Sequence, residues 1–76
     1  MKELVEVLAK ALVDHPDQVA VLQTDTEKTV NLRLMVALED MGKVIGKQGK
    51  IANAIRTMVK AAAVKDGRRF HVDIDQ

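Results

Sequence analysis

Two glycines three apart bracket Lys47 and Gln48, and a further lysine, Lys50, follows the second glycine. The run Val44-Ile45-Gly46-Lys47-Gln48-Gly49-Lys50-Ile51 therefore combines backbone freedom, positive charge and apolar flanks in one short stretch. Glycine takes positive φ angles at little steric cost and lets another molecule approach the backbone without a Cβ in the way. Downstream, Ile51, Ile55, Met58, Val59 and Ala62 recur at helical spacing, so a helix is expected to start at or just after Gly49. A helix N-terminus presents unpaired N–H groups and the positive end of its dipole, which suits an anion such as phosphate. Lys47 and Lys50 bring mobile positive charge to the same point. The competing reading is a tight connection between two helices whose lysines only keep it soluble.

Other chemistries fail on spacing. A P-loop requires GxxxxGK[ST], but Gly42 to Gly46 is one residue too short and Gln48 stands where a hydroxyl is needed. His71, Asp73 and Asp75 share one face of an expected strand, yet no other convincing metal ligand accompanies them, and a solvated outer face explains them. His15 beside Pro16 reads as a turn residue. No nucleophile, base and orienting partner can be assembled, so an enzyme is not expected, nor a cofactor or a small-molecule substrate. The absence of cysteine removes disulfides, thiol chemistry and zinc-thiolate sites, and fits a reducing compartment.

The elements that must position the glycine loop follow from periodicity. Leu4, Val5, Leu8, Ala11 and Leu12 fall on one face of a first helix, expected to end near Asp14 because Pro16 disfavours helical geometry before it. Gln18 to Thr24, with Val19, Ala20, Val21 and Leu22, reads as a strand, and Thr24 to Lys28 as a polar turn. Val30, Leu32, Leu34, Val36 and Leu38 then alternate with Thr29, Asn31, Arg33, Met35 and Ala37, the clearest strand signal in the chain. A short helix over Glu39 to Ile45 turns Met41, Val44 and Ile45 inward, and a longer helix runs from about Gln48 to Val64, stopped at Asp66-Gly67. Phe70, Val72 and Ile74 alternate with His71, Asp73 and Asp75 in a final strand. The order α-β-β-α-α-β, with three helices on one face of three strands, predicts a two-layer α+β domain spanning residues 1–76.

Seventy-six residues allow one core with little stability to spare, and an apolar share of 47% argues against disorder. Phe70 is the one aromatic residue, so a sheet that stacks bases on several aromatic rings is disfavoured. The net charge of +1 hides an asymmetry: Lys43, Lys47, Lys50, Arg56, Lys60 and Lys65 lie between Met41 and Lys65 with no acidic residue among them, leaving the rest net negative. A basic segment on an acidic background points to one anion-facing side, against the alternative of a lysine-rich solvated helix face. No apolar run approaches a signal core or membrane span, and a cytoplasmic protein without membrane contact is expected.

The run from Val44 to Ile51 resembles the signature of the KH domain, a single-stranded nucleic-acid-binding module whose GxxG loop clamps the backbone. Glu39 to Lys43, Ala54-Ile55-Arg56 and Phe70 to Asp75 extend the likeness, and the whole chain is similar to the small bacterial KH proteins of the KhpA type. The resemblance implies the type II KH fold, a mixed sheet whose middle strand is antiparallel to the first and parallel to the last. It implies that Gly46, Lys47, Gln48 and Gly49 form the phosphate clamp, beside Lys50, and that Val44, Ile45 and Ile51 line the apolar wall of a groove, although each could equally be core. His71 to Ile74 would form the other wall. Lys65, Arg68 and Arg69 would lie in the variable loop beside it, either touching phosphates or solvated, and Arg56 would be a phosphate contact or a surface residue. Some KH-like domains have lost nucleic-acid binding because acids occupy the middle of the loop; here Lys47 and Gln48 keep the loop chemically fit to bind.

Two functions are thereby expected to compete. One is a sequence-tolerant single-stranded RNA-binding protein, an RNA chaperone or post-transcriptional regulator, whose weak single site gains avidity in a homodimer or beside a second RNA-binding partner. The other is a protein-interaction adaptor that scaffolds a larger KH-domain protein of the KhpB type. The resemblance implies both the homodimer and that heterodimer, with a link to cell elongation and division.

Overall fold

Strand propensity is densest in residues 29–35, and this segment becomes the centre of the molecule. The computed structural model describes residues 1–76. Its elements are α1 (Lys2–Leu12), β1 (Ala20–Asp25), β2 (Thr29–Met35), α2 (Met41–Ile45), α3 (Lys50–Ala62) and β3 (Arg69–Asp75), with single 3-10 turns at Pro16–Gln18, Leu38–Asp40 and Lys47–Gly49. β2 is central, antiparallel to β1 and parallel to β3, as the KH resemblance implies. In β2, Val30, Leu32 and Leu34 are buried while Asn31 and Arg33 are exposed. One face of the sheet therefore carries all three helices and the other is open.

Twelve buried residues form one core cluster, eight of them valine: Val5, Val19, Val21, Val30, Val36, Val44, Val59 and Val72. Short β-branched side chains let the helices approach the sheet closely, so the helix faces that pack are narrower than the periodicity suggested. On α1, Val5 and Ala9 are fully buried and Leu4 and Leu8 half-buried, whereas Ala11 and Leu12 are exposed, contrary to expectation. On α3 the buried stripe is Ala52, Ile55 and Val59, continued by Ala63 just beyond the helix; Met58 and Ala62, expected inside, are exposed. Small alanines at contact points replace the larger residues that hydropathy favoured.

Element ends also shift for identifiable reasons. α1 stops at Leu12 rather than near Asp14, because Val13 is extended and the next two N–H groups are taken by the Asp40 carboxylate. β1 begins at Ala20 rather than Gln18, since Pro16–Gln18 closes a 3-10 turn first. β2 ends at Met35, and Val36 and Ala37 stay buried, but the chain then turns into the Leu38–Asp40 segment and leaves Leu38 66% exposed. The alternation that marked Leu38 as inward ended when the strand did. The expected helix over 39–45 is a 3-10 turn followed by α2, and that over 48–64 is a turn followed by the shorter α3. No helix is long and apolar enough to cross a membrane.

Candidate nucleic-acid interface

The connection between α2 and α3 is built from three residues of positive φ. Gly46 (φ 74°, ψ 175°) accepts no side chain: a Cβ there would stand 2.6 Å from Ile51 Cγ1 and 2.9 Å from the Ile51 backbone nitrogen. Gln48 (φ 59°, ψ 25°) and Gly49 (φ 76°, ψ 13°) are successive left-handed residues, the mirror image of a type I turn. The turn is closed by Lys50 N–H donating to the Lys47 carbonyl, and Gly49 N–H donates to Gly46. Around Gly49, by contrast, space is open, the nearest atom being Asn53 Nδ2 at 3.9 Å. The first glycine is thus required by both conformation and room, the second by conformation alone.

This turn delivers the start of α3 to the surface. No side chain caps the helix and no acidic residue occupies its first turn. Lys47, Gln48 and Lys50 are exposed, and neither lysine belongs to an ion pair. Positive charge, an uncapped helix N-terminus and an exposed backbone turn therefore coincide, an arrangement suited to phosphate.

α2 is tied down at its other end. Asp40 is 1% exposed, and its carboxylate accepts the backbone N–H groups of Asp14 (3.2 Å) and His15 (3.0 Å), so it joins the start of α2 to the corner after α1. Lys43 pairs with Asp14 beside it, and that bond holds the Asp14 carboxyl below the usual carboxylate range. Sequence reasoning missed Asp40; an acid beside Glu39 in a short connection gives no local signal of a partner 25 or 26 residues away.

The remaining expected site residues divide. Val44 is fully buried and belongs to the core, whereas Ile45 and Ile51 are half-buried beside the loop. Arg56 is also half-buried and already engaged: Nε donates to the Val72 carbonyl at 3.1 Å and Nη1 to Asn53 Oδ1 at 3.4 Å. Arg68 is held by Asp66 at 2.5 and 2.9 Å and by Asp25 at 3.4 Å, and its guanidinium lies 6.0 Å from the centre of the Phe70 ring. Its hydrogen bonds depress the Asp66 carboxyl. Arg69 is exposed and in no ion pair.

A cleft runs between α3 and β3. A hollow of about 420 Å³ is lined by Lys60, Ala63, Arg68, Arg69, Phe70 and His71. A second, of about 210 Å³, shares Lys60, Phe70 and His71 with it and adds Arg56, Val72 and Asp73. Asn53, beside Gly49 and bonded to Arg56, links this cleft to the glycine loop. Lys60 was not singled out as a site residue, though its spacing of four from Arg56 on one helix was the available signal.

The family model describing the KhpA/KhpB KH domain matches residues 2–74. The chain belongs to the KhpA/KhpB KH-domain family. RNA-binding protein KhpA of Clostridium acetobutylicum is 60% identical to it over 74 residues, covering 97% of this chain and 99% of that one. The KhpA proteins of Caldanaerobacter subterraneus subsp. tengcongensis (58% identical, covering 97% of this chain and 99% of that one) and of Aquifex aeolicus (47%, covering 97% and 94%) are similar over the same span. This is not an enzyme family, and the chain is no enzyme. Among solved structures, the fold is similar to part of Era. The match is to Era in complex with MgGDPNP and nucleotides 1506–1542 of 16S ribosomal RNA, with a TM-score of 0.71 and 17% identity. It covers 97% of this chain but only 28% of Era. A second Era structure, from Aquifex aeolicus, gives a TM-score of 0.69 at 18% identity, covering 96% of this chain and 28% of Era. At such identity the likeness shows the KH fold alone.

Proposed function

We propose that this KhpA/KhpB-family chain binds single-stranded RNA, holding the phosphate backbone with Gly46, Lys47, Gln48, Gly49 and Lys50 and running the strand along the cleft between α3 and β3. The observation that carries the reading is the glycine loop itself. Its three positive-φ residues expose the uncapped start of α3, flanked by two lysines with no acidic partner. Ile45 and Ile51 support the sugar and base side, with Lys60 and Arg69 further along. Phosphate contacts of this kind carry no sequence information, which supports a sequence-tolerant RNA chaperone or post-transcriptional regulator acting in the cytoplasm. One site of this size binds weakly, so a homodimer, or a heterodimer with a KhpB-type protein, supplies avidity.

The test is binding of short single-stranded RNA and matching DNA by the wild type and by the double variant Lys47→Asp, Gln48→Asp, with circular dichroism to establish that both fold. Placing two carboxylates in the turn sets negative charge against phosphate, and binding is expected to fall by at least about tenfold. Undiminished binding by the folded variant would sink the reading. The RNA-to-DNA ratio reports whether the 2′-hydroxyl is sensed. A second reading, an adaptor for a KhpB-type partner, draws on exposed apolar side chains of α1 and α3, Val7 at 65% and Met58 at 46%. It requires the same double variant to keep its cellular activity after RNA binding is lost.

A further inference from the structure

Arg68 stands just before β3, and every nitrogen of its guanidinium already donates to a carboxylate. Nε and Nη2 reach the two oxygens of Asp66 at 2.5 and 2.9 Å, a bidentate grip, and Nη1 reaches Asp25 Oδ2 at 3.4 Å. The two acids come from separate places, Asp66 from the turn after α3 and Asp25 from the end of β1. Asp25 is itself anchored, its Oδ1 accepting from Gln23 Nε2 at 2.9 Å. Bidentate pairing of this kind is also how a guanidinium grips a phosphate.

Arg68 lines the 420 Å³ hollow of the cleft as well, together with Lys60 and Arg69, neither of which is in an ion pair. Asp66 and Asp25 do not line it. A guanidinium that turned from the acids into the hollow would leave them behind and join two free cations beside Phe70. The turn needs side-chain rotation alone, because Arg69 N–H on the Lys28 carbonyl keeps the main chain in place. Arg68, Asp66 and Asp25 are all partly exposed, and ion pairs open to water hold weakly.

We propose that Arg68 is a latent phosphate subsite of the RNA cleft, kept closed by Asp66 and Asp25, whose carboxylates occupy the guanidinium as a phosphate would. The inference rests on the cleft being the RNA path. An RNA phosphate in the hollow exchanges with the carboxylates for Arg68, and parting the ion pairs offsets much of what the new contact contributes. The acids therefore attenuate RNA affinity through one arginine. Removing a carboxylate should strengthen binding, and only while Arg68 is present to be released.

The experiment is a double-mutant cycle on the full chain, with circular dichroism to establish folding. Wild type, Asp66→Ser, Arg68→Gln and the combination are titrated with one single-stranded RNA at about 0.15 M salt, where distant charges are largely screened. Serine keeps a turn-forming residue at position 66 and removes the charge. Asp66→Ser is expected to bind about threefold more tightly, the scale of one exposed ion pair. Its salt slope should steepen by about 0.7 for the added phosphate contact. In the Arg68→Gln background the same change should give no gain. An equal gain in both backgrounds would reduce Asp66 to a general repulsive charge and overturn the proposal, as would no gain in either. Asp25→Asn tests the other acid even if Asp66→Ser fails to fold: a smaller gain that needs Arg68 supports the subsite, and a gain independent of Arg68 sinks it. The Lys47→Asp, Gln48→Asp variant keeps the two readings apart. If it binds normally while the cycle shows coupling, the loop clamp fails and the Arg68 subsite stands; if it loses binding while the cycle shows none, the reverse holds. If the wild type binds no RNA, both fall.

Discussion

The two glycines of the loop look equivalent in sequence and are not equivalent in space. Gly46 sits in a backbone region open essentially to glycine alone, and a methyl group there would strike the backbone nitrogen of Ile51, which cannot move without displacing α3. Gly49 needs only the left-handed region and has open space around it. Gly46→Ala is therefore expected to cost about 3 kcal/mol or more and Gly49→Ala about 1 kcal/mol. Urea unfolding of the two variants, followed by circular dichroism, checks the ordering; equal midpoints would mean that the loop relaxes to accept the Cβ. The arginines differ in the same way. Arg56 and Arg68 are both spent on protein partners, one on a strand carbonyl and the other on two carboxylates, while Arg69 keeps its charge free.

At the scale of elements, α2 is only five residues long and cannot hold its own position by helix propensity. Packing of Val44 at one end and the Asp40 carboxylate at the other hold it instead. Asp40→Ala removes both backbone hydrogen bonds and is expected to destabilise the fold by about 2 kcal/mol, the scale of hydrogen bonds to a charged group. Because α2 runs directly into Gly46, RNA affinity should fall in the same variant at temperatures where it remains folded, and a denaturant titration run beside an RNA titration separates the two effects. Unchanged stability would mean that the N–H groups of Asp14 and His15 find water as good a partner. α3, by contrast, is set by a narrow stripe of Ala52, Ile55 and Val59 against a valine-rich sheet, leaving its basic face outward.

At the scale of the whole molecule, four unpaired cations bracket the loop and the cleft. Lys47 and Lys50 at the loop and Lys60 and Arg69 along the cleft are all exposed and in no ion pair, whereas Lys43 and Arg68 are neutralised by acids. If these four cations meet phosphates, the logarithm of the RNA association constant should fall against the logarithm of salt concentration with a slope of roughly −3, at about −0.7 per phosphate on a single strand. A slope shallower than about −1 would show that fewer than two of them are engaged and would move the binding surface elsewhere.

The KH family was legible as the resemblance of Val44 to Ile51 and its flanks to the KH signature; periodicity and glycine spacing were sufficient for the element order, the GxxG loop and the start of α3 immediately after Gly49. Each is a local property, written within a few turns or strands of chain. The sheet order, by contrast, came from the family resemblance, and the finer assignments depended on which atoms meet. Hydropathy put Leu12, Leu38, Met58 and Ala62 inside, but burial depends on how closely a helix can approach a sheet, and alanine at 9, 52 and 63 allows the closer contact. Asp40 and Arg56 carry no local mark of their roles, because the N–H groups of Asp14 and His15 and the Val72 carbonyl lie 16 to 26 residues away; Arg68 is held by Asp66, two residues back, and by Asp25, 43 residues away. Residue types are sufficient to mark a glycine loop whose geometry and charge suit phosphate. Which arginine keeps its charge free and which is held by protein partners was decided only when folding brought β3 against α3.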